Sequence, residues 1–190
     1  MADDIERINA ADGDEFRRWL ADHHDTADAV WLLYYKKESG RPSIAWPEAV
    51  DQALCFGWID SKVRSIDDER YEQYFCRRKP GSPWSRINKE KVAELTAAGL
   101  MEPAGQAAID RAKGDGSWSM LDDAEAGIVP DDLAAALDES GGRDAFDGFT
   151  DAQRRGLLAW ILFAKRADTR HRRIATIAEA AAEGRRPEPY

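Results

Sequence analysis

Trp58-Ile-Asp-Ser-Lys-Val-Arg64, followed by Tyr71-Glu-Gln-Tyr-Phe-Cys-Arg77, is the stretch that decides the fold class. Both runs alternate in the manner of half-buried strands, and Asp67-Asp68-Glu69 turns the chain between them. A hairpin is expected, with Trp58, Asp60, Lys62 and Arg64 on one face. Upstream, Ala29-Val-Trp-Leu-Leu-Tyr-Tyr35 reads as a buried strand and Ser39-Gly40-Arg41-Pro42 as a turn. Residues 12–24 read as a helix: Asp12 or Asp14 can cap it, and Phe16, Trp19 and Leu20 share one face. Pro47 opens a second helix that Gly57 closes from the C′ position. Beyond Lys79-Pro-Gly-Ser-Pro83 the signals are helical throughout. Asn88 to Ala98 stops at Gly99, Pro103 to Lys113 stops at Gly114, and a helix from Pro130 stops at Gly141-Gly142. Thr150 and Gln153 form a capping box, and Asp168 can cap a last helix running to Gly184, after which Arg185–Tyr190 is expected to fray. The expected fold is α+β. Residues 1–83 form a helix and short antiparallel sheet, and residues 84–190 form an all-helical half packed on it.

At 43% hydrophobic, 190 residues can bury a core as one domain or two small lobes. Seven Trp within 9% aromatic residues exclude disorder, because such rings need partners. The longest strongly apolar run, Gly156 to Ala164, is too short to span a membrane. Met1-Ala-Asp-Asp-Ile-Glu lacks the basic and apolar regions of a signal peptide, so no membrane insertion and a cytoplasmic location are expected. Cys55 and Cys76, with His23, His24 and His171, do not assemble a zinc pattern. Both thiols are expected as small buried hydrophobes. No dinucleotide, Walker, nucleophile-elbow or zinc-protease motif occurs. Neither a cofactor nor a metal is called for, and no catalytic residue can be assigned.

Charge is unevenly spread. The net charge is −9, yet residues 61–90 carry 8 basic and 5 acidic side chains and residues 151–190 carry 9 and 5. Arginine supplies 19 of the 27 basic residues, which favours bidentate recognition of carboxylate or phosphate. The overall negative field argues against strong non-specific binding of nucleic acid.

Three clusters concentrate the polar chemistry. In Ala53-Leu-Cys-Phe-Gly-Trp-Ile-Asp-Ser61, Asp51 and Cys55 share a helix flank while Trp58 and Asp60 share a strand face. They either line a pocket or serve as core, cap and ion-pair partners. In Arg77-Arg-Lys-Pro-Gly-Ser-Pro-Trp-Ser-Arg-Ile-Asn88, Arg78, Ser82 and Trp84 run into a helix start that Ser85 and Asn88 compete to cap. Free N–H groups beside cations make an anion site there, or the loop is merely solvated. In Ala164-Lys-Arg-Ala-Asp-Thr-Arg-His-Arg-Arg-Ile174, Arg170 falls inside the stripe of Ile174, Ile177 and Ala181, and Arg173 lies at its edge. An arginine so placed needs a carboxylate, with the Asp51 or Asp60 region as the expected partner, or a ligand.

These strings, with Gly99-Leu-Met-Glu-Pro-Ala-Gly105, resemble the YdeI/OmpD-associated family of bacteriocin-protection proteins. The similarity is placed from about Phe16 to Arg186. Arg78 matches the arginine that precedes the family's Ser-x-Trp-Ser loop, whereas Arg77 stands where proline is usual. The resemblance implies tolerance of bacteriocins or cationic antimicrobial peptides and brings no assigned activity. Three functional readings follow. The first is a non-enzymatic protein binding a small anion through Asp51, Trp58, Asp60, Arg78, Ser82, Trp84, Ser85, Asn88, Arg170 and Arg173. The second is an enzyme for a small anionic substrate, using Asp60 or Cys55. The third is an adaptor whose acidic 91–150 segment holds a protein or cationic peptide.

Overall fold

The computed structural model describes residues 5–187; Met1 to Asp4 of the acidic N-terminus and the tail from Glu188 lie outside the described residues. Arg185, expected to fray, is still tied down, its N–H donating to the Ala180 carbonyl at 2.8 Å.

The strands β1 (Arg7–Asn9), β2 (Ala29–Tyr35), β3 (Trp58–Ser65) and β4 (Arg70–Arg77) form one sheet in the order β1-β2-β4-β3. β4 runs antiparallel to both its neighbours, as the hairpin pattern requires. The sheet is nevertheless mixed, because β1 pairs parallel to β2 with Arg7 opposite Trp31. Three residues with one apolar side chain give no alternation to read. The parallel pairing is reached through α1 (Gly13–His23), whose cap is Asp12, accepting from the Glu15 N–H at 2.9 Å.

A register shift between Asp60 and Val63 corrects the expected face of β3. Asp60 lies opposite Phe75 on the core side, but Arg64 lies opposite Glu72. Because side chains alternate along a strand, the extra residue of the bulge moves Arg64 to the other face from Trp58.

The core side of the sheet buries Val30, Leu32, Tyr34 and Phe75 against Phe16 and Leu20 of α1 and against α2 (Trp46–Cys55). Two helices after the sheet, α3 (Arg86–Ala97) and α4 (Pro103–Asp115), add Val92, Leu95, Ile109 and Ala112 to that same core. The chain therefore divides into compact units between Ser119 and Met120, although its last strand ends at Arg77. Ser85 caps α3, accepting from the Asn88 N–H at 3.3 Å, so Asn88 stands inside the helix. α4 passes Gly114 and stops at Gly116, which takes the left-handed φ of 80°.

The end of α2 and the start of α4 touch backbone to backbone. Gly57 has φ 74°, and a Cβ there would lie 2.9 Å from the Ala104 carbonyl oxygen. A Cβ on Gly105 would lie 2.2 Å from the Cys55 carbonyl oxygen. Two of the sequence strings thus interlock through their glycines.

The second unit holds α5 (Asp122–Glu125), α6 (Asp131–Ser140), α7 (Arg143–Asp147), α8 (Asp151–Leu162) and α9 (Ala167–Ala182). Its own core gathers Leu133, Leu137, Phe146, Leu157, Leu158, Ile161, Ile174 and Ile177. The Thr150–Gln153 capping box forms on α8. Asp168 sits in the first turn of α9 and supplies no cap; Arg166 occupies that position. The short α5 and α7 carry too few turns to show a helical period in sequence. No helix among the described residues is long and apolar enough to cross a membrane.

Candidate anion-binding site

Arg78 follows the last residue of β4 and continues its ladder by donating its N–H to the Gly57 carbonyl at 2.9 Å. The chain then leaves the sheet through residues 79–83. That loop is pinned to the end of α4, where the Gly81 N–H donates to Asp115 Oδ2 at 2.9 Å. Asp115 Oδ1 accepts the Ser117 N–H at 2.9 Å, so one carboxylate ties two turns. Trp84 re-enters the core, 1% exposed, and packs against Trp118 with ring centroids 5.1 Å apart.

These contacts hold the Arg78 guanidinium still. It is 5% exposed, its Cζ lies 3.7 Å from the Trp84 ring centroid, and one Nη donates to the Pro83 carbonyl at 3.1 Å. The other edge, Nε and the second Nη, is buried and meets no hydrogen-bond partner among the described residues. That edge is the fork that grips a carboxylate or phosphate with two parallel hydrogen bonds. Arg170 shows the same edge in use, its Nε and Nη2 reaching the two oxygens of Asp132 at 2.7 and 2.8 Å. Burial pulls the Arg78 pKa down to about 10, partly offset by Asp60. The side chain is therefore cationic at neutral pH. A buried cation without a counter-ion costs several kcal/mol, on the order of the stability of a small domain.

The surroundings are basic. A cavity of about 580 Å³ is lined by Arg77, Arg78, Lys79 and Arg111 with Tyr74 and Cys76, and Asp28 is its one acidic lining residue among those described. Arg77 pairs with Asp28, and an Arg111 Nη donates to the Arg78 carbonyl at 3.4 Å. Behind Arg78 a narrow crevice reaches Ser82, Trp84 and Ser117. Fixed donors and a cationic rim without a matching carboxylate are suited to holding an anion.

Of the residues singled out from sequence, Arg78, Ser82 and Trp84 come together here. Ser85 is used up in capping α3, where its hydroxyl accepts the Asn88 backbone N–H. Asp51 is paired with Lys91. Asp60 accepts from the Trp46 indole at 3.0 Å and from Gln73. Trp58 is fully buried, its indole donating to the His24 carbonyl at 3.3 Å. Arg111, Lys79 and Ser117 were missed. Arg111 and Ser117 lie more than thirty positions along the chain from Arg78, and Lys79 reads as one more loop cation.

Arg170 and Arg173 belong to the second unit. The expected pairing of Arg170 with the Asp51 or Asp60 region is replaced by its fork to Asp132 on α6. Arg173 donates to the Trp160 carbonyl and lies over that ring at 5.1 Å. The wheel placed Arg170 inside the buried stripe, but its side chain stays 32% exposed and α6 supplies the nearer carboxylate. Arg170 holds the Asp132 carboxyl below its usual range. The pair thus adds stability above the ordinary aspartate pKa and loses it as pH falls through the lowered folded value. With side chains 32% and 42% exposed, Arg170→Ala is expected to cost under about 1 kcal/mol in urea unfolding at pH 7. The cost should shrink further in acid. A loss of about 3 kcal/mol, the scale of a broken buried pair, would contradict this.

Cys55 is fully buried, and burial pushes its thiol pKa up, against the opposing effect of Arg17. The half-buried Cys76 is likewise pushed up by burial, against Lys79 and Arg78. Iodoacetamide at pH 7.5 is expected to leave Cys55 unmodified in the native protein and to label it in urea. Rapid native labelling of Cys55 would revive its reading as a nucleophile. No group of three or more His, Cys, Asp or Glu residues that could hold a metal stands together among the described residues.

Two family models match the chain. Residues 8–108 match Domain of unknown function (DUF8412), and residues 126–184 match Bacteriocin-protection, YdeI or OmpD-Associated. The second match is narrower than the span of resemblance expected from sequence, and the interlocking strings and Arg78 fall in the first. No curated protein and no solved structure matches.

Proposed function

The chain belongs to the family described as Domain of unknown function (DUF8412) and carries a YdeI/OmpD-associated domain at residues 126–184, and on that premise we propose that it is a non-enzymatic binding protein for a small anion, acting in tolerance of bacteriocins. The anion is a phosphate or carboxylate gripped by the free fork of Arg78, with Arg77, Lys79 and Arg111 supplying the surrounding field. One observation carries this reading: a buried guanidinium whose bidentate edge has no protein partner among the described residues. Buried polar groups are nearly always satisfied, so an orphaned fork beside a basic cavity is the signature of a missing partner. The cytoplasm, where phosphorylated and carboxylated metabolites abound, is the compartment that suits such a site.

Thermal unfolding with inorganic phosphate, sulfate and a panel of phosphorylated and carboxylated metabolites tests it. An anion that binds the folded state raises the melting temperature, by the equivalent of about 2.7 kcal/mol at a hundred times its Kd. Arg78→Lys keeps the charge but loses the fork, and should abolish most of the shift. If no anion stabilises the parent protein, the reading fails. Survival of a bacteriocin-sensitive strain expressing the parent or Arg78→Lys chain would then show whether binding and tolerance are linked.

A further inference from the structure

A second cationic cavity lies on the face of the sheet turned away from the core, at the other end of β4. Asn9, Leu33, Glu72 and Arg64 form one cross-strand row there, from β1 through β2 and β4 to β3. Glu72 is 1% exposed although it stands on the outer face. Two arginines cover it. Arg64 donates its Nε to Glu72 Oε1, and Arg7 Nε lies 3.3 Å from Oε2. Arg64 is further held by the Trp31 ring, with its Cζ 4.1 Å from the centroid.

Arg64 spends its Nε on that carboxylate, while Arg7 stands beside Oε2 as an ion pair without a hydrogen bond. The Nη groups of both make no hydrogen bond to any described residue. A buried carboxylate behind two stacked or braced guanidinia sets their direction without consuming their outer donors. The cavity beside them measures about 550 Å³, and its lining adds Asn9 and Arg70 to apolar Ile8, Leu33 and Ile66. Ile66 is 43% exposed. Arg7 and Arg64 share one carboxylate, Glu72, while Arg70 is paired with Asp67.

The geometry points to a second binding site here, for a small organic monocarboxylate. Its carboxylate is held by Arg7 and Arg64, and its apolar body lies on Leu33 and Ile66. The bulge in β3 builds this site, because without the register shift Arg64 would stand on the core side, away from Glu72. The site shares no residue with the Arg78 cavity.

Octanoate, below its micelle-forming concentration, is the probe, with octanol as the uncharged tail and acetate as the bare head group. Titration calorimetry on Arg78→Met protein, which lacks the fork of the anion site above, is expected to register octanoate and neither control at equal concentration. The Trp31 indole N–H resonance, assigned by its loss in Trp31→Phe, should shift with octanoate. Arg64→Gln is expected to weaken octanoate at least tenfold. Arg70→Gln, which leaves both partners of Glu72 in place, should weaken it several-fold and covers the case in which Arg64→Gln does not fold. Because Arg78→Met removes that fork, this site stands or falls separately from the anion site above. Absence of octanoate binding, equal binding of octanol, or a shift that spares Trp31 would overturn the assignment.

Discussion

Replacing Arg78 with methionine is expected to abolish anion-dependent stabilisation while leaving the unliganded protein at least as stable as the parent. The two effects have one cause. In the folded protein the guanidinium is stripped of water, bonded once to the Pro83 carbonyl and stacked on Trp84, with its fork unpaired. Replacing a buried charge by an apolar side chain of similar length often stabilises, here by about 1 kcal/mol after the lost Pro83 hydrogen bond is counted. Hydrogen bonds to a charged group contribute about 1.5–3 kcal/mol each, so losing two should weaken an anion at least a hundredfold. Urea unfolding with and without phosphate measures both quantities on the same samples. A purely structural arginine would behave oppositely, with methionine costing several kcal/mol and the phosphate response unchanged. Gain of stability on loss of a residue is the mark of a site kept for function.

Gly105→Ala is expected to produce the largest loss of stability, about 3 kcal/mol in the unfolding midpoint of the first unit. Alanine favours a helix intrinsically by about 1 kcal/mol, so the sign is decided by space. The added Cβ would fall 2.2 Å from the Cys55 carbonyl oxygen and 2.7 Å from its carbon. Those atoms are backbone at the end of α2, and the same oxygen already accepts the Glu102 N–H at 3.1 Å. Relief requires α4 to move from α2, which opens the core around Ile109 and Ala112. The shift would also disturb Gly57, whose carbonyl positions Arg78, so anion binding should weaken alongside stability. Gly114→Ala on the same helix, with nothing within 4 Å of the added carbon, should be neutral or slightly stabilising. A comparable loss there would show that the close approach at Gly105 is not the cause.

The Gly105 and Gly57 contacts give the shared strings a structural meaning. Ala53 to Ser61 and Gly99 to Gly105 look like parts of a reaction centre because they set Cys, Asp and Trp beside glycines. In the fold the glycines let two helices meet, Cys55 is buried between them, and Trp58 is core. Their residue types come from packing, and only Arg78, at the end of the adjoining hairpin, is left with unspent donors.

By itself the sequence determined the α+β class, the β3–β4 hairpin, the strand at Ala29–Tyr35 and the capping of α1 and α8, because alternation, helical period and caps act over a few neighbouring residues. It also picked out Arg78, Ser82 and Trp84, since Arg, Gly, Pro and Trp crowd into one short loop. Tertiary structure alone decided the parallel pairing of β1, the face of Arg64 and the partner of Arg170. Each turns on a single unit: three residues of strand, one extra residue in a bulge, one aspartate on a neighbouring helix. It alone brought Arg111 and Ser117 to Arg78, and Arg7 and Arg64 to Glu72. Arg111, Ser117 and Arg7 are distant in the chain from the residues they join, Arg64 reaches Glu72 only through the bulge, and whether a guanidinium meets a carboxylate or stays unpaired depends on which segments packing brings within about 3 Å.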